Sequence, residues 1–396
     1  MMEQLVKKNP RIEVVDALRG FSLMAILLLH NVEHFIYPVY PVNSPNWLKV
    51  LDQGTMNVVF TLFAGKAYAI FALLFGFTFY IQSSNQQKKG KDFGYRFLWR
   101  LLLLSLFATL NAAFFPAGDV LMLFVVVGIV LFITRNWSDN AVLIAVVIFL
   151  LQPVEWYHYI ASLINPAHQL TDLKVGEMYA EVANYTKNGN FLDFIWMNIT
   201  LGQKASILWA VNVGRLVQTA GLFLLGNYIG RKQLFITNEK NAVLWVKILI
   251  FSALSFAPLF TLKELIMDNS SIIQQSVGTV FDMWQKLAFT LILTSSFVLL
   301  YYHSRFRFSK AFNDLRFYGK MSLTNYLTQS IIGALIYFPF GLHFAPYCGY
   351  TISLLIGFLI FMLQLKLSKW WLTKHIQGPL ENIWHKLTWI GKSNRL

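Results

Sequence analysis

The residues with the greatest capacity for chemistry lie in one stretch near the N-terminus, RIEVVDALRGFSLMAILLLHNVEH, from Arg11 to His34. Asp16 and Arg19 stand at its start, an uncharged run follows from Gly20 to Leu29, and His30, Glu33 and His34 close it. Ionisable groups in an apolar helix are costly in lipid, which makes this stretch a functional-site candidate by default. On an ideal helix, Arg19 and His30 lie about 20° apart around the axis and about 16 Å apart along it, and Asp16 lies about 40° from His30 on the same stripe. Arginine offers a permanently charged, bidentate grip for phosphate or carboxylate. Histidine offers proton transfer near neutral pH. Glu33 or Asn31 could orient the imidazole if the helix end brings them round. The plainer alternative is an interfacial Asp16–Arg19 ion pair with His30 packed at a helix end, since such pairs also serve structure.

The elements that must hold these groups follow from composition. The chain has 396 residues, 56% hydrophobic and 13% charged, with a mean hydropathy of +0.51. Soluble domains carry about 25% charged residues. The expected fold is all-α, a polytopic transmembrane bundle of about ten spanning helices with both termini cytoplasmic. A spanning helix needs about 20 mostly apolar residues. The expected spans lie near 14–32, 64–82, 97–115, 119–134, 141–154, 212–230, 242–260, 279–301, 321–339 and 349–368. Segment 191–210 is expected at the outer interface or as a re-entrant piece, because a further span would move Arg231 and Lys232 outside. Segment 46–63 reads as interfacial. No repeated halves and no paired broken helices are legible, and 1–396 reads as a single transmembrane domain.

The net charge of +14 would suggest nucleic acid in a soluble protein. Here the basic residues cluster at 7–11, 88–100, 231–240, 305–320 and 366–395, in short connections and tails. That is the positive-inside pattern, and nucleic-acid binding is excluded. The single cysteine, Cys348, allows no internal disulfide and no cysteine metal cluster. The start MMEQLVKKNPRIEVV lacks the pattern of a secretory signal, so the first apolar segment is expected to stay as a helix.

The remaining candidates sort by depth. Towards the outer face fall Lys66, Asn111, Asp119, Arg215, Gln218, Asp282 and Lys286. Asp119 fits a helix N-cap, Lys66 could snorkel, and Asp282 with Lys286 has the spacing of a helix-surface pair. Arg215 is a lone charge near Gln218, able to bind an anionic acceptor or to snorkel. Arg96, Arg100, Arg231, Lys320 and Asn325 fall on the cytoplasmic side. They would flank the entry of a phosphate-bearing ligand, although positive-inside topology alone accounts for the charges. Asn325 and Gln329, one turn apart, could bond between helices or line a cavity. His30 and His34 have a chelating spacing without a third ligand in sequence, so no metal site is expected.

The stretch VVDALRGFSLMAILLLHN resembles the opening motif of the transmembrane acyltransferase superfamily, where Arg, ten residues and then His recur in the first helix; Arg19 and His30 match it. GKAYAIFALLFGFTFYIQ (65–82), FLWRLLLLSLFATLN and GDVLMLF (within 97–124), YGKMSLTNYLTQSII (318–332) and WWLTKHIQGPLENIWHKLT (370–388) resemble one branch. That branch is the YeiB-like bacterial membrane family, a domain of unknown function (418), whose characteristic C-terminal region would fall at about 210–390. Branch members often have Asn where this chain has His30, and tend to have His where it has Asn111.

The resemblance implies a multi-pass protein of the bacterial cytoplasmic (inner) membrane. It would move an acyl group, usually acetyl, from cytoplasmic acyl-CoA to a sugar or lipid-linked glycan at the outer face. On that reading His30, Glu33 and Asp16 serve catalysis, Arg19, Arg100 and Asn325 hold the donor, and Lys66, Asp119, Arg215 and Gln218 bind the acceptor. The competing readings are a transporter or flippase of a polar metabolite or lipid, and a non-catalytic envelope scaffold.

Overall fold

The computed structural model describes residues 12–267, 272–303 and 309–390. Lys7, Lys8, Arg11, Arg305, Arg307, Lys392 and Arg395, which contribute to the charge pattern above, lie outside the described residues. Among the described residues the fold is all-α. In lipid a backbone must satisfy its own polar groups, and a chain this apolar does so with helices.

The N-terminal half contains α1 (Glu13–Glu33), α2 (Asn46–Phe63), α3 (Lys66–Gln87), α4 (Gly94–Ala112), α5 (Leu121–Ile133), α6 (Asp139–Leu150) and α7 (Pro153–Ile164). A run of shorter helices follows, with α8 (Val175–Asn188), α9 (Phe191–Met197), a π-helical turn at Asn198–Gly202 and α10 (Gln203–Asn212). The rest is α11 (Arg215–Arg231), α12 (Glu239–Met267), α13 (Ile272–His303), α14 (Ser309–Lys320), α15 (Ser322–Tyr337), α16 (Tyr350–Lys374) and α17 (Pro379–Thr388).

Nine of the ten stretches expected to span fall mainly on one helix each, whereas 141–154 runs across the bend between α6 and α7. By length and apolar composition, four runs suffice to cross a membrane: Asn46–Gln87, Glu239–Ile266, Gln275–His303 and Tyr350–Lys374. The number rises to six if each of two bent pairs counts as one span. These runs make the chain a membrane protein. Segment 46–63, expected at the interface, leads into α3 across Ala64 and Gly65, and the two helices count as one apolar run of 42 residues.

The bends alter the sequence picture. α6 and α7 meet at 51°, and the α9–α10 run meets α11 at 79°. Gln152 sits between the first pair in the left-handed region (φ 59°), ahead of Pro153, whose ring fixes the start of α7. Gly214 sits between the second pair with φ 67°. A glycine adopts that conformation without a Cβ penalty. The chain therefore has two sharp helix bends that were not legible in its sequence, each a broken span or a re-entrant loop, and segment 191–210 forms the arm before the second.

Two glycine contacts bring backbones together. A Cβ on Gly319 of α14 would strike the Asp16 carbonyl of α1, and one on Gly20 of α1 would strike the Leu315 carbonyl of α14. Gly76 of α3 and Gly226 of α11 make the same reciprocal contact through Phe223 and Leu73. Small residues allow such approach where lipid gives helices no hydrophobic reason to associate. The first contact locks the turn of α1 that carries Asp16 and Arg19. The second locks α3, which carries Thr78, against α11, which carries Arg215.

Replacing Gly319 by Val should lower stability by about 1–3 kcal/mol or more, the cost of overpacking. Gly54→Ala should not, because nothing lies within 4 Å of a Cβ at that position. Thermal unfolding of the two purified variants in detergent checks this contrast; equal melting temperatures would refute the close packing of α1 on α14.

Candidate functional site

α1 runs from a charged pair to an imidazole, and neighbouring helices supply a partner at each end. Arg19 Nη1 lies 3.1 Å from Asp16 Oδ1, and Nη2 donates to Thr78 Oγ1 of α3 at 2.9 Å. Two sides of the guanidinium are thus fixed, and it borders a cavity of about 250 Å³. Arg100 of α4, Lys320 of α14 and His385 of α17 border the same cavity, with Thr78 and Gln82 of α3. Arg100 is held with its guanidinium carbon 3.7 Å from the Trp384 ring centre, a cation–π contact. We call it the inner cavity, after the side on which the charge pattern of the sequence would place it.

α17 closes one side of it. The Glu381 carboxylate accepts from Leu323 N at 2.7 Å and Thr324 N at 3.1 Å, the first amides of α15, and from Thr324 Oγ1 at 2.6 Å. It therefore caps α15 from another helix and complements the positive end of its dipole. Burial pushes the Glu381 carboxyl above its ordinary value, and these hydrogen bonds pull it back. Arg96 Nη1 donates to the Thr388 carbonyl, Trp99 Nε1 to that of Leu387, and Trp384 Nε1 to that of Arg100.

At the other end of α1, His30 is 6% exposed and borders a second cavity of about 510 Å³. Its ring packs 4.3 Å from that of Phe115, between centres. Nδ1 lies 3.4 Å from the Gln329 side chain of α15, whose Oε1 has no other partner. Amide oxygen and nitrogen are assigned by their surroundings. The atom facing Nδ1 is Gln329 Nε2, which donates to the ring as placed; with the amide turned over, Nδ1–H donates to Oε1 and Nε2 of the imidazole is the basic atom.

The outer cavity is also bordered by Glu33, His34, Asp119, Arg215 and Lys286. Asp119 accepts from Asn111 Nδ2 at 2.9 Å and from the amides of Leu121 and Met122, so it caps α5 as its position suggested. Ser330 in turn donates to Asn111 Oδ1 at 2.7 Å. The Arg215 guanidinium lies between the rings of Tyr68 at 4.7 Å and Trp209 at 4.4 Å, and its Nε makes no hydrogen bond. Lys286 pairs with Asp282. His34, just past the end of α1, is pushed below its ordinary value by burial, with Glu33 pulling up and Arg215 pushing down.

Several expected positions turn elsewhere. Glu33 does not orient His30: its carboxylate lies 3.5 Å from His34 Nε2, because the end of α1 points it towards the next imidazole. Asn31 is taken by the Leu27 carbonyl and the Tyr337 hydroxyl. Asn325, expected at the donor, is 3% exposed and held in the α15–α16 seam, where it donates to the Tyr318 carbonyl and Ser368 Oγ. Gln218 donates to the Met283 carbonyl of α13 instead of bordering the outer cavity. Lys66 reaches the Phe60 carbonyl and the face of Phe289, so Gly65 rather than its ammonium borders that cavity. Among the described residues no group of three His, Cys, Asp or Glu could hold a metal ion.

Sequence reasoning missed the partition between the two cavities. Phe71, Leu121, Phe124 and Tyr326 border both. Tyr326 belongs to YGKMSLTNYLTQSII, but nothing in its spacing marks it as a dividing wall. The Tyr326 ring centre lies 6.1 Å from that of His30.

Residues 229–391 match the family described as "Protein of unknown function (DUF418)". The matched region takes in two of the stretches that resemble the YeiB-like family, 318–332 and 370–388. Two relatives are similar along nearly the whole chain. The uncharacterized protein YxaH of Bacillus subtilis (strain 168) is 24% identical over 96% of this chain and 95% of its own length. An uncharacterized 39.9 kDa protein from the amylase 3' region of Bacillus acidopullulyticus is 23% identical over 97% of this chain and 95% of its own. No solved structure matches. The match covers α12 to α17 and so takes in Lys320, Tyr326, Gln329 and the closing helix, while Arg19 and His30 come from outside it.

Removing the carboxylate with Glu381→Ala should release α17, at a cost of about 1–3 kcal/mol for the buried amides left unpaired. Hydrogen exchange across 379–388 should rise several-fold while α12 stays unchanged; unaltered exchange in α17 would refute its anchoring through Glu381.

Proposed function

We propose that this protein is an acyltransferase embedded in the bacterial cytoplasmic membrane, with about ten spans and both termini cytoplasmic. It moves an acyl group, acetyl by the family resemblance, from cytoplasmic acyl-CoA to a hydroxyl of a sugar or lipid-linked glycan at the outer face. The observation that carries this reading is the pair of cavities set back to back across one layer of side chains, cationic groups in the inner and the buried imidazole in the outer.

Each residue has a role in that reading. Arg19, fixed by Asp16 and Thr78, and Arg100, fixed on Trp384, bind the phosphates of the donor. Lys320 adds positive charge at the mouth. His30, with the Gln329 amide turned so that Nδ1–H donates to its oxygen, presents Nε2 to the acceptor. It removes the hydroxyl proton as the oxygen attacks the thioester carbonyl. The carbon–sulfur bond breaks, the thiolate takes up that proton, and the products are an ester and a free thiol. A covalent acyl-imidazole step on His30 is compatible with the same geometry. Asp119, bound to Asn111, and Arg215, between its two rings, flank the acceptor. The unpaired Nε and flat cation–π seat of Arg215 suit an anionic acceptor group.

A second reading, transport of a polar metabolite or lipid, is favoured by one observation: two helices are broken and meet, as transporter helices do at their binding sites. Uptake driven by an ion gradient and indifferent to acyl-CoA would support it.

In proteoliposomes supplied with labelled acetyl-CoA, His30→Ala should lower transfer about 10²- to 10⁴-fold, the usual worth of a general base. Arg19→Ala should raise the KM for acetyl-CoA more than it lowers kcat. A His30→Ala protein that transfers acetyl as fast as the parent would defeat the proposal.

A further inference from the structure

Away from both cavities, the two helix breaks converge. Gln152, between α6 and α7, is fully buried, and neither its Oε1 nor its Nε2 has a hydrogen-bond partner. Leaving a buried amide unpaired costs about 1–3 kcal/mol. Glu155, on the first turn of α7, is 8% exposed, and no ion pair or hydrogen bond among the described residues offsets its burial. Both side chains face the other break. A Cβ built on Gly214 would lie 3.1 Å from Gln152 Oε1, 3.6 Å from Glu155 Oε1 and 3.2 Å from the Thr279 methyl of α13. The unpaired amide oxygen of Gln152 and a carboxylate oxygen of Glu155 therefore converge on space left by a glycine.

We propose that Gln152 and Glu155 form a binding site for a small monovalent metal cation, sodium in the first instance, clasped where the two broken helices cross. The donor set is oxygen only, as hard cations require. A single carboxylate balances a single positive charge. The C-terminal ends of α6 and α10, which carry partial negative charge, finish at the same breaks. Unwound backbone between half-helices is the common setting for sodium in membrane proteins. The backbone also links the site to the outer cavity, since Gly214 is followed directly by Arg215. Cation binding would fix the break from which the Arg215 guanidinium projects. The inference is independent of acyl transfer: it rests on the buried oxygens alone and holds whether the outer cavity serves chemistry or transport.

The test uses the purified full chain in detergent at pH 7, with sodium chloride exchanged for choline chloride at constant ionic strength. Sodium should raise the melting temperature by a few degrees in a saturable manner, as a ligand specific to the folded state does. Glu155→Gln should abolish the rise, and Glu177→Gln, at an exposed position of α8, should keep it. Size-exclusion elution confirms that each variant is folded, and calorimetric titration of the parent with sodium chloride gives a reading that needs no variant. Saturable heat supports the site. Equal melting temperatures in the two salts, a sodium effect that persists in Glu155→Gln, or stabilisation by acid alone would each overturn it, the last by making the occupant a proton.

Discussion

The structure depends on how α1 carries an arginine and a histidine through an apolar bundle. Neither group is tolerable there unless neighbouring helices satisfy it. Arg19 is satisfied by Asp16 from its own helix and by Thr78 of α3. His30 has Gln329 of α15 within reach and Phe115 across its face. The Gly20–Gly319 contact sets the position of α1 against α14, and the Gly76–Gly226 contact sets α3 against α11. Backbone approach at four glycines therefore decides where the two functional groups stand.

From that arrangement the cavities follow. The inner one takes its charge from three helices, α1, α4 and α14, and its floor from α17, whose Glu381 is at once an anchor and the cap of α15. The outer one takes Asp119 from the turn between α4 and α5 and Arg215 from the break before α11. Both groups stand at helix starts, where a loop or a bend lets a side chain face a cavity while the helix behind it packs. The partition of Phe71, Leu121, Phe124 and Tyr326 is one side-chain layer thick.

The sequence disclosed what depends on one helix at a time. The Asp16–Arg19 pair and the shared stripe of Arg19 and His30 follow from helical period, and the capping role of Asp119 follows from the turn before α5. The apolar periodicity disclosed the all-α membrane class. It did not disclose choices between helices. Asn325, Gln218 and Lys66 are polar groups near the expected depths, but each finds a backbone or side-chain partner in a seam that only the packed bundle creates. Gln329 took the role considered for Glu33 because α15 passes the imidazole while the end of α1 turns Glu33 to His34. The two breaks had local signals, Gln152 before a proline and an isolated Gly214. Such signals mark a bend without stating that the bends will meet.

The central claim is that the inner cavity holds the donor against Arg19, one side-chain layer from His30. Electron cryomicroscopy of the full chain with a non-hydrolysable acetyl-CoA analogue tests it most directly. The account predicts density for the nucleotide between Arg19, Arg100 and Lys320, with the acyl end directed at Tyr326. Density for the analogue elsewhere on the protein, or an inner cavity left empty at saturating ligand, would contradict it.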